Sequence, residues 1–135
     1  MSAASNYTED AVLDHVLGNT TYTPATTLYL GLFTGDTNLE ANDLGSSSDE
    51  VTTSGSAYIR KAITFNAASG GTATSAATVT FDTATADWGT VTHVAVMDAE
   101  AGGNVIFYGA VTTSREILTG DTFQVSAGNL TISLA

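Results

Sequence analysis

The chain contains no cysteine, a single proline and only three basic residues, Arg60, Lys61 and Arg115. Without cysteine there is no disulfide framework, no thiolate nucleophile and no Cys-ligated zinc. Fourteen acidic residues against those three cations give a formal net charge of -11. A surface that acidic repels phosphate backbones, which excludes nucleic-acid binding through a basic patch. Long apolar runs are missing as well, and the start Met1-Ser2-Ala3-Ala4-Ser5-Asn6 has neither a basic n-region nor an apolar segment. The expectation is a protein made as a soluble cytoplasmic product, with no membrane contact. Charged residues total 13%, about half the usual share, and Thr, Ser, Gly and Ala fill the gap. That balance suits a β-rich interior under a surface of short hydroxyls.

What is present is alternation. The stretch T-V-T-H-V-A-V-M-D-A-E-A-G-G-N-V-I-F-Y-G, from Thr90 to Gly109, reads as a β-hairpin around a Gly-rich turn. Strict alternation puts Val91, His93, Ala95 and Met97 on one side and Thr92, Val94 and Val96 on the other; on the return strand Val105, Phe107 and Val111 oppose Ile106 and Tyr108. Both faces are apolar, so the hairpin belongs inside a sandwich or against a neighbouring subunit. Further strands are expected at Leu28 to Thr34, Ser56 to Phe65, Thr78 to Phe81, Arg115 to Leu118, Thr122 to Ser126 and Leu130 to Leu134, with Ala67 to Ala77 a turn region.

One helix precedes them. Asn6 and Glu9 form a capping-box-like pair, Val12, Leu13, Val16 and Leu17 make an apolar stripe, and Gly18-Asn19 is the stop. About three turns of helix are marginal alone in water, so the stripe must dock on the body or on a partner chain. The sequence thus predicts an all-β fold: an antiparallel β-sandwich, jelly-roll-like, with one short N-terminal α-helix. Residues 1-27 form a docking extension and residues 28-135 the sandwich. Leu30, Phe65, Phe81, Val94, Val96, Phe107 and Leu130 are the expected core, with Phe107→Ala costing about 3 to 5 kcal/mol.

Chemistry is hard to find. Two histidines, His15 and His93, have no G-x-S-x-G serine beside them, and both read as structural. Asp36, Glu40, Asp43, Asp49 and Glu50 crowd one long polar loop, residues 35-55, but their spacing fits no EF-hand; the loop reads as solvated acidic surface, with a bridging cation as the alternative. Asp98, Glu100 and Gly102-Gly103-Asn104 read as turn residues. Trp88 reads as the closure of one sandwich end, its indole N–H on a loop carbonyl, ahead of a sugar-stacking platform. No catalytic residue, cofactor or metal site is assigned. The candidate interface is Tyr7, Val12, Leu13, Val16, Leu17 and Tyr22 together with Glu40, Asp43, Asp49 and Glu50.

The ordered motifs L-Y-L-G-L-F-T-G-D, G-S-A-Y-I-R-K-A-I-T-F, A-S-G-G-T-A-T-S-A-A-T-V-T-F, A-T-A-D-W-G-T-V-T-H-V-A-V-M-D, G-G-N-V-I-F-Y-G and T-G-D-T-F-Q-V-S-A-G-N-L-T-I-S-L cover roughly residues 28 to 134. In these the chain resembles a family of small structural proteins of tailed bacteriophages, labelled capsid decoration (cement) or tail fibre protein. The resemblance implies a non-enzymatic virion component. The absence of a shaft or repeat favours a cement protein on the capsid exterior, bound to the major capsid protein, over a tail or baseplate adhesion module binding host glycan or receptor. A small hydrolase is the third reading, and it lacks both nucleophile and base. Two-faced strands and an unpartnered helix stripe lead to the expectation of a homo-oligomer, a trimer first and a dimer second.

Overall fold

Alternating, β-branched sequence around a glycine turn produces the central hairpin of the protein, whose computed structural model describes residues 3–134. In chain order the elements are β1 (Ala3–Ala4), α1 (Asn6–Val16), β2 (Leu28–Phe33), β3 (Lys61–Ile63), β4 (Thr72–Thr74), β5 (Val79–Thr80), β6 (Gly89–Met97), β7 (Val105–Ile117), β8 (Gln124–Val125) and β9 (Thr131–Ser133). All pairings are antiparallel. A five-stranded sheet in the order β1-β7-β6-β2-β3 is faced by two ribbons, β4-β9 and β5-β8. This is the expected β-sandwich with one short N-terminal helix. Its layers are unequal, five strands against two ribbons, where a regular jelly roll has two four-stranded sheets. The segment expected as a separate strand from Arg115 is the end of the long β7, and the supposed turn region 67–77 contains β4.

Both faces of the β6-β7 hairpin are covered by the chain itself, but not in the strict alternation the sequence suggests. Two irregularities break the register, one between Val91 and His93 and one between Val96 and Met97. The first inserts residues 111–114 of β7 against a single residue of β6, so Val91 joins Val94 and Val96 on one face. The second leaves Ile106 as the extra residue, and Val105 falls with Met97, away from Phe107. Each bulge flips the phase of everything beyond it.

The larger core lies between the sheet and the ribbons, where Leu30, Leu32, Val91, Val94 and Val96 meet Val79, Phe81 and Trp88. Trp88 closes one end of it as expected, its Nε1 donating to the Ser56 carbonyl at 2.8 Å and its ring edge-on to Tyr58 at 5.5 Å. On the opposite face Phe33, Ala95, Met97 and Val105 are capped by Leu39, which comes from the acidic loop. At the hairpin turn, Asp98 accepts from the Asn104 amide at 2.6 Å. Gly103 there has φ +73°, and a Cβ would lie 2.4 Å from the Asp98 carboxylate, so only glycine fits.

Of the expected core, Leu30, Phe81, Val94 and Val96 are buried, whereas Phe65, Phe107 and Leu130 only pack against its margin. Phe107 lines an open cleft. Because it remains half-exposed, Phe107→Ala should cost about 1 to 2 kcal/mol, less than a fully buried phenylalanine, as read by urea denaturation.

Candidate interaction surfaces

The helix is cantilevered from the body. Its N-cap is Ser5, not Asn6: the fully buried Ser5 hydroxyl accepts the Thr8 amide and donates to the Val105 carbonyl. The Ser5 amide bonds to the Ile106 carbonyl at 3.2 Å, a group the second bulge leaves free, and the Asn6 amide bonds to the Glu40 carbonyl at 2.8 Å. With β1 paired to Phe107 and Tyr108, the first helical turn is therefore fixed to both β7 and the acidic loop. Beyond it the helix is less covered. Val12 is half-buried, but Leu13, Val16 and Leu17 are 56%, 72% and 70% exposed. Gly18, with φ +81°, ends the helix, and the chain returns with the Tyr22 amide donating to His15 Nδ1 at 3.1 Å. Tyr7 and Tyr22 are half-buried, and burial, then the neighbouring Tyr7 and Asp98, raises the Tyr22 phenol above its ordinary value.

The acidic loop is ordered by internal bonds. Asn42 sits at φ 56° and bridges the loop to the hairpin, donating to Asn104 at 2.9 Å and accepting from the Val105 amide at 2.7 Å. Glu40 and Asp43 are exposed. Asp36, Asn38 and Glu40 border a small pocket of about 280 Å³ with Asn6 and Tyr108. Burial first, then the charges of Glu40, Asp36 and Glu9, raises the Tyr108 phenol. Among the described residues no group of three or more His, Cys, Asp or Glu converges in a way that could hold a metal ion.

Asp49 accepts from the Thr37 amide at 3.1 Å, and hydrogen bonding from Thr37 holds its carboxyl below the ordinary aspartate value. A depressed folded-state pKa stabilises above the unfolded value, about 3.9, and that contribution is lost as pH falls through the folded one. The protection factor of the Thr37 amide, its exchange rate corrected for the intrinsic pH dependence, should therefore fall on acidification below about pH 4, and in Asp49→Asn this fall should vanish.

The Glu50 carboxylate is engaged within the chain. Arg60 holds it bidentately, Nε to Oε2 at 2.7 Å and Nη2 to Oε1 at 2.8 Å, and the Tyr58 hydroxyl donates to Oε2 at 2.7 Å. The remaining nitrogen of Arg60 reaches the carbonyls of Ala99 and Gly102 at 2.9 and 2.8 Å. Burial alone would lower the guanidinium's pKa, but Glu50 outweighs it and the net shift is upward. Tyr58, raised by burial and by Glu50, stays a neutral donor. Lys61 pairs with Asp82 at 2.9 Å.

Sequence reasoning missed the remaining surface. The Phe65–Ser75 bridge carries the hydrogen bonding of the main sheet on into β4-β9, so the sheet curls back toward its own far edge without closing. Between β7 and the β8-β9 segment a cleft of about 620 Å³ remains, reaching down to Leu30, Val94 and Val96. Arg115 stands at its mouth. No local periodicity marks such a seam, because it depends on which strands end up as edges.

Two covered sheet faces, a projecting helix and an open seam define a β-sandwich module organised around its surfaces. The comparison with known proteins makes that class specific. A family model described as Podophage GP4 fiber I protein gp80 matches residues 3–133, so the chain belongs to this family of tailed-phage structural proteins and is a virion component. No curated protein matches the chain. Among the described residues no helix is long and apolar enough to cross a membrane.

Proposed function

We propose that this protein is a non-enzymatic structural module of the phage particle that is held in place through the exposed stripe of α1, and that its position is in a fibre. The observation that carries the proposal is the stripe itself. Leu13, Val16 and Leu17 lie on one side of a helix whose root is bonded to the body, and each keeps more than half of its surface exposed. An amphipathic helix end of this kind has i, i+3, i+4 anchors suited to a groove on a neighbouring protein. The fibre placement is supported by the description of the family model. Capsid decoration is the second reading, favoured by the exposed Glu40 and Asp43, which suit a basic capsid surface.

Particle stoichiometry and labelling separate the two. Gold-labelled antibody on fibres at low copy supports the fibre, while hundreds of copies across the head support the capsid reading. Deleting residues 1–19 is a poor test of attachment, since it also removes β1 and the Ser5 anchor. The double substitution Leu13→Glu, Leu17→Glu leaves those bonds intact. It should yield a folded protein, by circular dichroism, that is absent from purified particles. Full incorporation of that variant would refute attachment through the stripe.

A further inference from the structure

The cleft between β7 and the β8-β9 segment is an incomplete piece of core. Phe107, Val111, Phe123, Val125, Leu130 and Ile132 all line it, and all remain only partly buried. It is open because β7 has almost no outer neighbour: β1 pairs with Phe107 and Tyr108 alone, leaving the edge from Gly109 to Ile117 unpaired by any named strand. Yet this edge is poorly suited to receive another strand. The insertion at residues 111–114 distorts its ladder. Arg115 is paired with Val91, lines the cleft and is exposed, so a charge stands on the edge where a strand would add. Bulges and charges on the edge are devices that keep edge strands from pairing. What fits here is an occupant that inserts apolar side chains, needs no backbone ladder and brings a carboxylate for the arginine.

That carboxylate matters because Arg115 is the one basic residue with no acidic partner among the described residues; Arg60 and Lys61 are both committed within the chain. The end of α1 has the complementary features. Leu13, Val16 and Leu17 are exposed, and Asp10 and Asp14 border them at helical spacing, Asp10 three residues before Leu13 and Asp14 three before Leu17. Both carboxylates are exposed. We propose that the stripe of α1 from one copy of this chain docks in the β7/β8-β9 cleft of the next, with Arg115 meeting Asp10 or Asp14. The proposal rests on attachment through α1 and names the partner as a second copy. Two different patches are joined, so the contact is heterologous and builds a ring or a filament, not a two-fold dimer. Like charges of -11 on each copy do not forbid it. At physiological ionic strength fields are screened beyond about 8 Å, and at the contact itself the signs are opposite.

Mixing experiments on the full chain test this. Wild-type protein should sediment as an assembly at micromolar concentration. Leu17→Glu disables the helix, Val125→Glu disables the cleft, and each alone should be monomeric. Mixed, they should form a one-to-one dimer and nothing larger, because only one intact helix and one intact cleft meet. Arg115→Asp, on an exposed side chain that the fold does not need, should weaken assembly by about tenfold. Asp14→Arg in the same chain should restore it.

A monomeric wild type would overturn the proposal. So would assembly that survives both Val125→Glu, shown folded by circular dichroism, and Arg115→Asp. If Leu17→Glu alone removes the protein from particles while the cleft variants assemble normally, attachment through the helix stands and the second-copy partner falls. If Leu17→Glu has no effect on either, both fall.

Discussion

Arg60→Leu should lower the unfolding free energy by about 3 to 5 kcal/mol, the cost of breaking a buried ion pair from one side. Three segments meet at this guanidinium: Glu50 at the end of the acidic loop, the approach to β3, and the hairpin turn through the carbonyls of Ala99 and Gly102. Removing it leaves Glu50 with the Tyr58 hydroxyl alone and leaves both carbonyls short of a donor. Leucine keeps the bulk, so the loss reflects charge and hydrogen bonds more than packing. Partial exposure of the Glu50 side chain, 19%, lets water relieve some of the penalty and argues for the lower half of the range. Lysine should rescue little, because a point charge cannot reproduce a two-pronged bond to the carboxylate together with two carbonyl contacts. In Arg60→Leu, Glu50→Gln no uncompensated charge remains, and part of the stability should return. Urea denaturation of the three variants provides the check. A loss under about 1 kcal/mol for Arg60→Leu would mean the pair contributes no more than an exposed one.

The sequence made these parts of the molecule visible to different degrees, and the reason in each case is distance along the chain. Period-2 runs revealed β2, β6 and β7, and the isolated period-3.6 stripe revealed α1, since both signals are local. Trp88 was legible because a lone buried indole needs one acceptor near a strand end. The bulges at Ile106 and residues 111–114 were not, because an inserted residue has no composition of its own and shows only against the partner strand. For the N-cap, Asn6 and Ser5 are both good candidates, and the choice was made by the free carbonyls of Val105 and Ile106, 100 residues away. Glu50 looked like one more surface carboxylate until the fold brought Arg60 against it. Of the proposed interface, the helix residues Leu13, Val16 and Leu17 and the loop residues Glu40 and Asp43 do reach the surface. The seam that faces them in the proposed assembly became visible only with the strand order.

Leu39→Ala should cost about 2 to 5 kcal/mol, a large effect for a residue in a stretch that reads as solvent-exposed loop. Leu39 is fully buried and caps Phe33, Ala95, Met97 and Val105, the face of the sheet that no ribbon covers. Truncating it removes the principal apolar plug between the acidic loop and the hairpin. The cavity is bounded by strand residues held in register, so little can collapse to fill it. The consequence should extend to the N-terminus, because the next residue, Glu40, supplies the carbonyl that holds the Asn6 amide at the root of α1. Two readouts separate packing from positioning. Urea denaturation measures the global loss, and hydrogen exchange at the Asn6 amide reports whether the helix root has loosened under conditions where the body stays folded. Faster exchange at Asn6 with unchanged protection in β6 is the expected pattern, and it would make Leu39 the residue through which the loop controls how firmly the helix is presented. Equal losses at both places would assign Leu39 to the core alone.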